Sequence, residues 1–349
     1  MIPKHVLATL FASALVVMAP GVSAKSDSRA VVLVSGVAAT TPFTTPWSAC
    51  TSGFSAGNTW AYLRDYLVAR GYRVFTAPAS VGGAKVVETA DPYAGPFAGC
   101  PKQLPAEMTI NSIGTVDRSA SSVARFVKHL HDRYGVTSVD VIAHSLGGVI
   151  GRAAIREVRL NRLPVRVRSY STLSSPWDGV MLADPIDPAN RLSGCDGLQI
   201  CEVFLEALLR LPGIDMIWSN TNPNNLPTWN QAQIGALDGI PVTLVGGSYF
   251  TKPGGIVSKW PNDGAIQLRS SLATEAPDAV IPHRTCHAFP LTHSIYVSRG
   301  IGAADDTAIT WNPAVGAVLT AAIDRAGTAL KGPNRIGCPP KPPGWAFSF

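Results

Sequence analysis

No dense tract of lysine or arginine runs through this chain of 349 residues, and its cysteines include no C-x-x-C pair. Beyond the N-terminal segment, no stretch is apolar and long enough to cross a bilayer. The first absence argues against nucleic acid as a partner, because such proteins cluster their basic residues on one face. The second removes a common spacing of zinc and thiol-redox sites. The third leaves a chain without a transmembrane segment. Gly/Ser linkers, charged linkers, internal repeats and low-complexity segments are missing too, so one large domain with insertions is the simplest organisation.

What is present begins at the N-terminus. MIPKHVLATLFASALVVMAPGVSA has a short cationic start at Lys4, an apolar run from about Val6 to Ala19, and small residues at Val22-Ser23-Ala24. That is the pattern of a secretory signal peptide over 1–24, and the run is short for a membrane span. Cleavage would take Lys4 and no acidic residue, lowering the formal charge of +6 by one. The remaining charge is diffuse and reads as ordinary solubility. An exported chain, extracellular or periplasmic, uses cysteines for disulfides. Proximity in sequence pairs Cys195 with Cys201, and the simplest pairing of the rest is Cys50–Cys100 and Cys286–Cys338.

The mature part, 25–349, reads as alternating strands and helices. Arg29-AVVLVSG carries a continuous Val/Leu run of a strand buried on both faces. Asn58-TWAYLRDYLVARG has helical spacing and Gly71 to stop it. Arg73-VFTAPA is a second strand, and 80–114 lacks period and reads as an irregular surface insertion. Thr115 to Gly135 is the clearest helix, with Val116, Ala120, Val123, Val127 and Leu130 on one face. Ser138-VDVIAH, Val165-RVRSYSTLSS and Pro241-VTLVGG are further strands; Leu146 to Val158 and Asn312 to Gly327 are helices. Such alternation makes a mostly parallel central sheet with helices on both faces, whose sites collect at the strand C-termini. The proline-rich 338–349 reads as an extended tail.

Within that order, VDVIAHSLGGVIGR at 139–152 places Ser145 between a buried strand and a helix. A nucleophile elbow needs small residues two before and two after the serine, because the backbone doubles back around it. Ala143 and Gly147 stand there; glycine is usual at both. A serine hydroxyl becomes nucleophilic only when a base takes its proton and a carboxylate orients the base. In this layout acid and then histidine follow the serine. Of His283, His287 and His293, the last lies in a short loop before the closing helix and ranks first, with His287 next. His144 is set aside as base, because the neighbour of a strand-end serine points away from it. Asp263, in an Asn-Asp-Gly turn after the strand ending near Gly247, ranks above Asp178. Oxyanion donors are expected from the backbone N–H of Leu146, at a helix N-terminus, and of Val37, in the loop Ser35-GVAATT.

These residues together resemble the secreted lipase branch of the α/β-hydrolase superfamily. Ala-His-Ser-Leu-Gly-Gly is similar to the Ala-His-Ser-Met-Gly elbow of small bacterial lipases. Val32-LVSGVAATT resembles their first strand and oxyanion loop, with Ser35-Gly36 where Pro-Gly or His-Gly is usual. Thr172-LSSPWDG resembles a Thr-Leu-x-x-Pro-His-x-Gly stretch, with Trp177 in place of the histidine. Asn262-Asp263-Gly264 and Thr292-His293 match the acid and histidine positions. The resemblance runs from about Val31 to Ala326 and implies an α/β-hydrolase fold with no cofactor. Some of these lipases hold calcium through an aspartate two residues past the histidine; Ile295 stands there, so no metal is expected.

An insertion over about 177–237 has the length of a cap. In it Val203, Phe204, Ala207, Leu208 and Leu211 share a helical face, read either as a lid opening onto lipid or as a helix packed on the core. The leading expectation is a secreted carboxylic-ester hydrolase of lipase type, acting on lipid or another ester, in one version at a lipid–water interface. A polyester depolymerase or acyltransferase would use the same residues. An inactive hydrolase fold kept for binding is the reading outside enzymes.

Overall fold

The computed structural model describes residues 28–48, 50, 56–87, 100, 103–180, 191–211, 226–327, 330 and 332–340. The expected leader, 88–99 of the first insertion, 181–190 and 212–225 of the second, and the end of the tail lie outside them.

Seven parallel strands form the central sheet. In spatial order they are β2 (Val74–Thr76), β1 (Arg29–Val34), β5 (Ser138–His144), β6 (Arg166–Leu173), β7 (Val242–Gly247), β8 (His283–Phe289) and β9 (Asn334–Ile336). Burial on both faces explains the unbroken Val/Leu run of β1. Its alternate residues feed two cores: Ala30, Val32 and Val34 join one cluster, Val31 and Leu33 the other. The first cluster lies under α2 (Val116–Tyr134) and α3 (Leu146–Leu160). The second lies under α1 (Ala56–Val68) and α8 (Pro313–Arg325), through Trp60, Leu63, Leu67, Val315 and Leu319. The helix α2 ends where Gly135 takes the left-handed conformation, φ 65°, which glycine adopts without steric cost.

The chain leaves β1 toward β2 on one side and returns to β5 on the other. Strand order therefore reverses between β1 and β5, the place where open parallel sheets leave a crevice at the strand C-termini. Val34 pairs with Ala143 and Ala143 with Thr172. The connections starting at Ser35, Ser145 and Ser174 thus emerge side by side.

One expectation changes. The segment 80–114 is not a surface excursion at its ends: β3 (Ala79–Ser80) pairs with β4 (Ile110–Asn111), and Leu104, Ile110 and Ile113 are buried in the main core. Sparse apolar residues without period hid this packing. The strand β8 likewise shows no apolar alternation in HRTCHAF, yet it pairs with β7 and β9. Inside it, Arg284 is fully buried and caps the carbonyls of Ala273, Ala276 and Ile281.

The disulfides are Cys50–Cys100, Cys195–Cys201 and Cys286–Cys338, the same pairs that proximity selects. The last closes a separation of 52 residues and ties the segment after β9 to β8.

In the cap region, α4 spans Gln199–Leu209 and α5 spans Leu226–Ala232. The guanidinium of Arg152 on α3 lies 4.5 Å from the ring of Trp177 and 4.5 Å from that of Trp229 on α5. A cation between two indole faces is a favourable arrangement. Burial pulls the Arg152 pKa down to about 9, which still leaves it charged at neutral pH. Among the described residues no helix is long and apolar enough to cross a membrane.

Candidate active site

At the C-terminal end of β5 the backbone turns sharply into α3, and Ser145 holds φ 56° and ψ −134° there. A non-glycine residue at positive φ costs energy and persists only where its surroundings enforce it. The enforcement is visible. Ser145 N–H donates to the Leu173 carbonyl at 2.9 Å, and its own carbonyl accepts from Gly148 N–H at 2.9 Å. A Cβ on Gly147 would stand 2.5 Å from the Val34 carbonyl oxygen and 2.6 Å from that of Ser35. A Cβ on Gly148 would collide with Ser175. Ala143, in the position where glycine is usual, is fully buried in β5 and fits there.

The His293 ring lies above the serine. Its Nε2 is 3.0 Å from Ser145 Oγ, and its Nδ1 is 2.9 Å from Asp263 Oδ2. Since an ionised carboxylate only accepts, Nδ1 carries the proton and Nε2 is left to accept from the serine hydroxyl. The other oxygen, Asp263 Oδ1, accepts from the N–H groups of Ala265 at 2.9 Å and Ile266 at 2.7 Å. Asp263 is fully buried. Burial by itself raises its pKa, but His293 and the Ile266 N–H outweigh it and hold the carboxyl below its ordinary value. The Asn-Asp-Gly turn thereby supplies an ionised, oriented carboxylate in an apolar setting.

The loop after β1 crowns the serine. A Cβ added to Gly36 would stand 2.7 Å from Ser145 Cβ and 3.2 Å from its Oγ, so only glycine fits. Next to it, Val37 N–H and, across the serine, Leu146 N–H have no hydrogen-bond partner among the described residues. The loop itself is braced: Ala38 N–H donates to Ser112 O at 3.1 Å, and the Trp60 indole N–H donates to Ser35 Oγ at 2.9 Å. The supposedly irregular insertion thus shapes the site through Ser112.

The other candidates stand elsewhere. Asp178 is half-buried and accepts from Glu275 N–H at 2.9 Å; desolvation pushes its pKa up to about 7. His283 and His287 lie in β8, with His287 opposite Val245 in the sheet register. The site draws in one residue that the sequence reading set aside. His144 does not touch the serine hydroxyl, but its Nε2 lies 2.8 Å from the main-chain carbonyl of His293. Burial pushes its pKa down to about 3, with the neighbouring His293 acting in the same direction.

The α4 face differs from the expected one. Val203 is 56 % exposed, Ala207 is also exposed, and the buried side is Cys201, Leu205 and Leu208. Cys201, bonded to Cys195, lies on the buried side of this helix. Further ties hold the segment just before it. Asp196 Oδ2 accepts from the Trp260 indole at 2.7 Å and from Lys252 at 3.0 Å, and Lys259 donates to Ser193 O at 2.7 Å. Phe204, half-buried, places its ring centroid 6.5 Å from that of His293, so α4 forms a wall of the site.

These pKa shifts carry a consequence for stability. Folding lowers the His144 pKa from its ordinary value of 6.5 to about 3. The stability linked to its neutral form is complete above pH 6.5 and is lost as pH falls toward 3, at up to about 1.4 kcal/mol per pH unit. The depressed Asp263 acts the same way below its ordinary range. Urea unfolding between pH 7 and pH 4 is expected to show this slope, and H144Q to flatten it. A slope unchanged in H144Q would remove His144 from the account.

Among the described residues no group of three or more His, Cys, Asp or Glu side chains could hold a metal ion. Residues 101–193, which include the elbow, match the model of a family described as "Putative serine esterase (DUF676)". No curated protein matches the chain in sequence. Among solved structures, the mature form of the Bacillus licheniformis lipase BlEst2 is 12% identical, covers 87% of this chain and 95% of its own, and superposes with a TM-score of 0.50. The Pyrococcus furiosus esterase Pf2001 is 13% identical over 86% of this chain and 81% of its own, TM-score 0.42. A 2-hydroxy-6-oxo-6-phenylhexa-2,4-dienoate hydrolase from Rhodococcus sp. strain RHA1 is 14% identical over 85% and 91%, TM-score 0.43. The chain has the α/β-hydrolase fold.

Proposed function

We propose that this α/β-hydrolase chain is a secreted carboxylic-ester hydrolase, with Ser145 as nucleophile, His293 as base and Asp263 as the acid that orients it. The observation that carries the reading is the unbroken hydrogen-bonded line from Ser145 Oγ through His293 to Asp263, at 3.0 Å and 2.9 Å, set on a strained elbow. The serine attacks the ester carbonyl as its proton passes to His293 Nε2. Charge gathers on the carbonyl oxygen, where the N–H groups of Leu146 and Val37 receive it. As the tetrahedral species collapses, the alcohol leaves with the proton from His293. Water, deprotonated by the same nitrogen, then attacks the acyl-enzyme and frees the acid. The match of 101–193 to a serine esterase family supports the same reading. Export is supported by the leader pattern of 1–24 and by the three disulfides.

Within ester hydrolases, the tethered α4 favours soluble or small esters over a helix lid that swings onto lipid. Its apolar side already faces the core, and opening it would expose Leu205 and Leu208 at roughly 1.5–3 kcal/mol each. Turnover of p-nitrophenyl esters of increasing chain length is the direct test of the function; a protein inert toward all of them and toward fluorophosphonate overturns it. With emulsified triglyceride, activity is expected to saturate smoothly through the solubility limit. A sharp rise there would show that α4 moves.

A further inference from the structure

We propose that His144 is a positioning residue: its Nε2–H donates to the main-chain carbonyl of His293 at 2.8 Å and so fixes the loop that aims the His293 ring at Ser145. A carbonyl oxygen only accepts, so the hydrogen bond assigns the proton of His144 to Nε2 and leaves its Nδ1 bare. The backbone of His293 is then held from both sides. Its N–H donates to the Asp263 carbonyl at 2.8 Å, and its C=O accepts from His144. One bond ties it to the segment bearing the acid. The other ties it to the residue preceding the nucleophile.

The His144 ring has little freedom to do otherwise. It is 6 % exposed, lies 4.7 Å from the His293 ring, and meets Trp60 edge-on at 6.2 Å. The same Trp60 donates to Ser35 Oγ, which lies 3.1 Å from Thr41 Oγ1. One buried aromatic contact thus links the loop carrying Val37 to the loop carrying His293. The two loops leave β1 and the segment after β8, far apart in sequence, and both must hold sub-ångström positions relative to Ser145. A 1 Å misplacement in such a site costs on the order of 100-fold in rate.

The chemistry also explains why a histidine suits the position. The donor must reach from the end of β5 to a carbonyl beyond the serine, and it must be uncharged. The titratable groups facing it are His293 and Asp263. When His293 takes the serine proton it becomes cationic, and a second cation 4.7 Å away would raise that step. Lysine or arginine would bring that charge permanently; buried, neutral imidazole does not. Glutamine has similar reach and the same donor without charge, whereas asparagine falls short by about one bond length.

This inference rests on the ester-hydrolase reading in its kinetic arm only. The variants are H144Q, H144N and H144F, each measured with a soluble p-nitrophenyl ester and by proton NMR of the His293 Nδ1–H, assigned by its loss in H293A. H144N and H144F are expected to lower kcat about 10- to 100-fold with KM within about twofold, from loss of a buried hydrogen bond and of alignment. H144Q is expected to recover most of that loss. The downfield Nδ1 proton should stay sharp in wild type and H144Q and broaden in H144N. Should H144F fail to fold, the contrast between the two amides, alike in polarity and differing in reach, carries the test. H144N with wild-type kcat and an unchanged Nδ1 proton overturns the proposal and makes His144 a space-filling core residue. If the wild-type protein neither cleaves esters nor reacts with fluorophosphonate while the proton signals follow the expected pattern, the hydrolase reading fails and the positioning role stands.

Discussion

Replacing Ser145 with alanine is expected to lower ester hydrolysis by about 10⁴-fold or more, while thermal unfolding stays close to wild type. Among the described residues the hydroxyl bonds only to His293, and the elbow around it is held by main-chain bonds to Leu173 and from Gly148 that alanine preserves. The residual rate would come from substrate binding and the Leu146 and Val37 donors, which remain. H293A should be comparably severe. D263N should fall by on the order of 10⁴-fold, because asparagine can present an N–H to Nδ1 and favour the wrong imidazole tautomer. Labelling by fluorophosphonate, lost in S145A and strongly slowed in the other two, checks the assignment without a substrate. A protein in which H287A loses activity and H293A keeps it would move the base to β8, where the sheet register holds His287 opposite Val245.

Gly147→Ala is expected to be the next most damaging single change. A methyl group there meets the carbonyl oxygens of Val34 and Ser35 at 2.5 and 2.6 Å. These are backbone atoms of β1 and of the loop after it, so no rotamer change relieves the contact. Relief requires α3 to move off β1, taking Ser145 and Leu146 N–H with it. The expected cost is about 1–3 kcal/mol of stability and on the order of 100-fold in kcat from misalignment. Urea unfolding and kcat measured on the same preparation separate the two effects. Wild-type turnover in soluble G147A would mean that the elbow tolerates a side chain at this point.

The parts of this architecture legible in the sequence are those set by local spacing. The Val/Leu run of β1, the period of α2 and the small residues flanking Ser145 each respond to short-range steric or burial demands. The order of Ser145, Asp263 and His293 was legible because a parallel sheet puts successive strand ends on one edge. Less legible were features fixed by distant partners. The strand β8 is polar by composition, and its Arg284 is buried where carbonyls from 273–281 and the Asp278 carboxylate surround it. On α4, the evidently apolar residues alone put Val203 and Ala207 inside, whereas the disulfide-bonded Cys201 lies on the buried side and those two are exposed. Ile110 and Ile113 gave no periodic signal, yet they anchor the segment whose Ser112 carbonyl holds Ala38. His144 was weighed only as a base, and its bond to a carbonyl 149 positions away is not a sequence pattern.

The stacking of Arg152 between Trp177 and Trp229 gives the molecule an optical signal of its own. A guanidinium on an indole face perturbs that indole's excited state, so the emission of Trp229, on cap helix α5, depends on its seat against α3. Among the chain's eight tryptophans, the difference between wild-type and W229F spectra reports the pair that share this guanidinium, Trp229 and Trp177. Its time course after mixing with substrate reads the cap's docking without any attached dye.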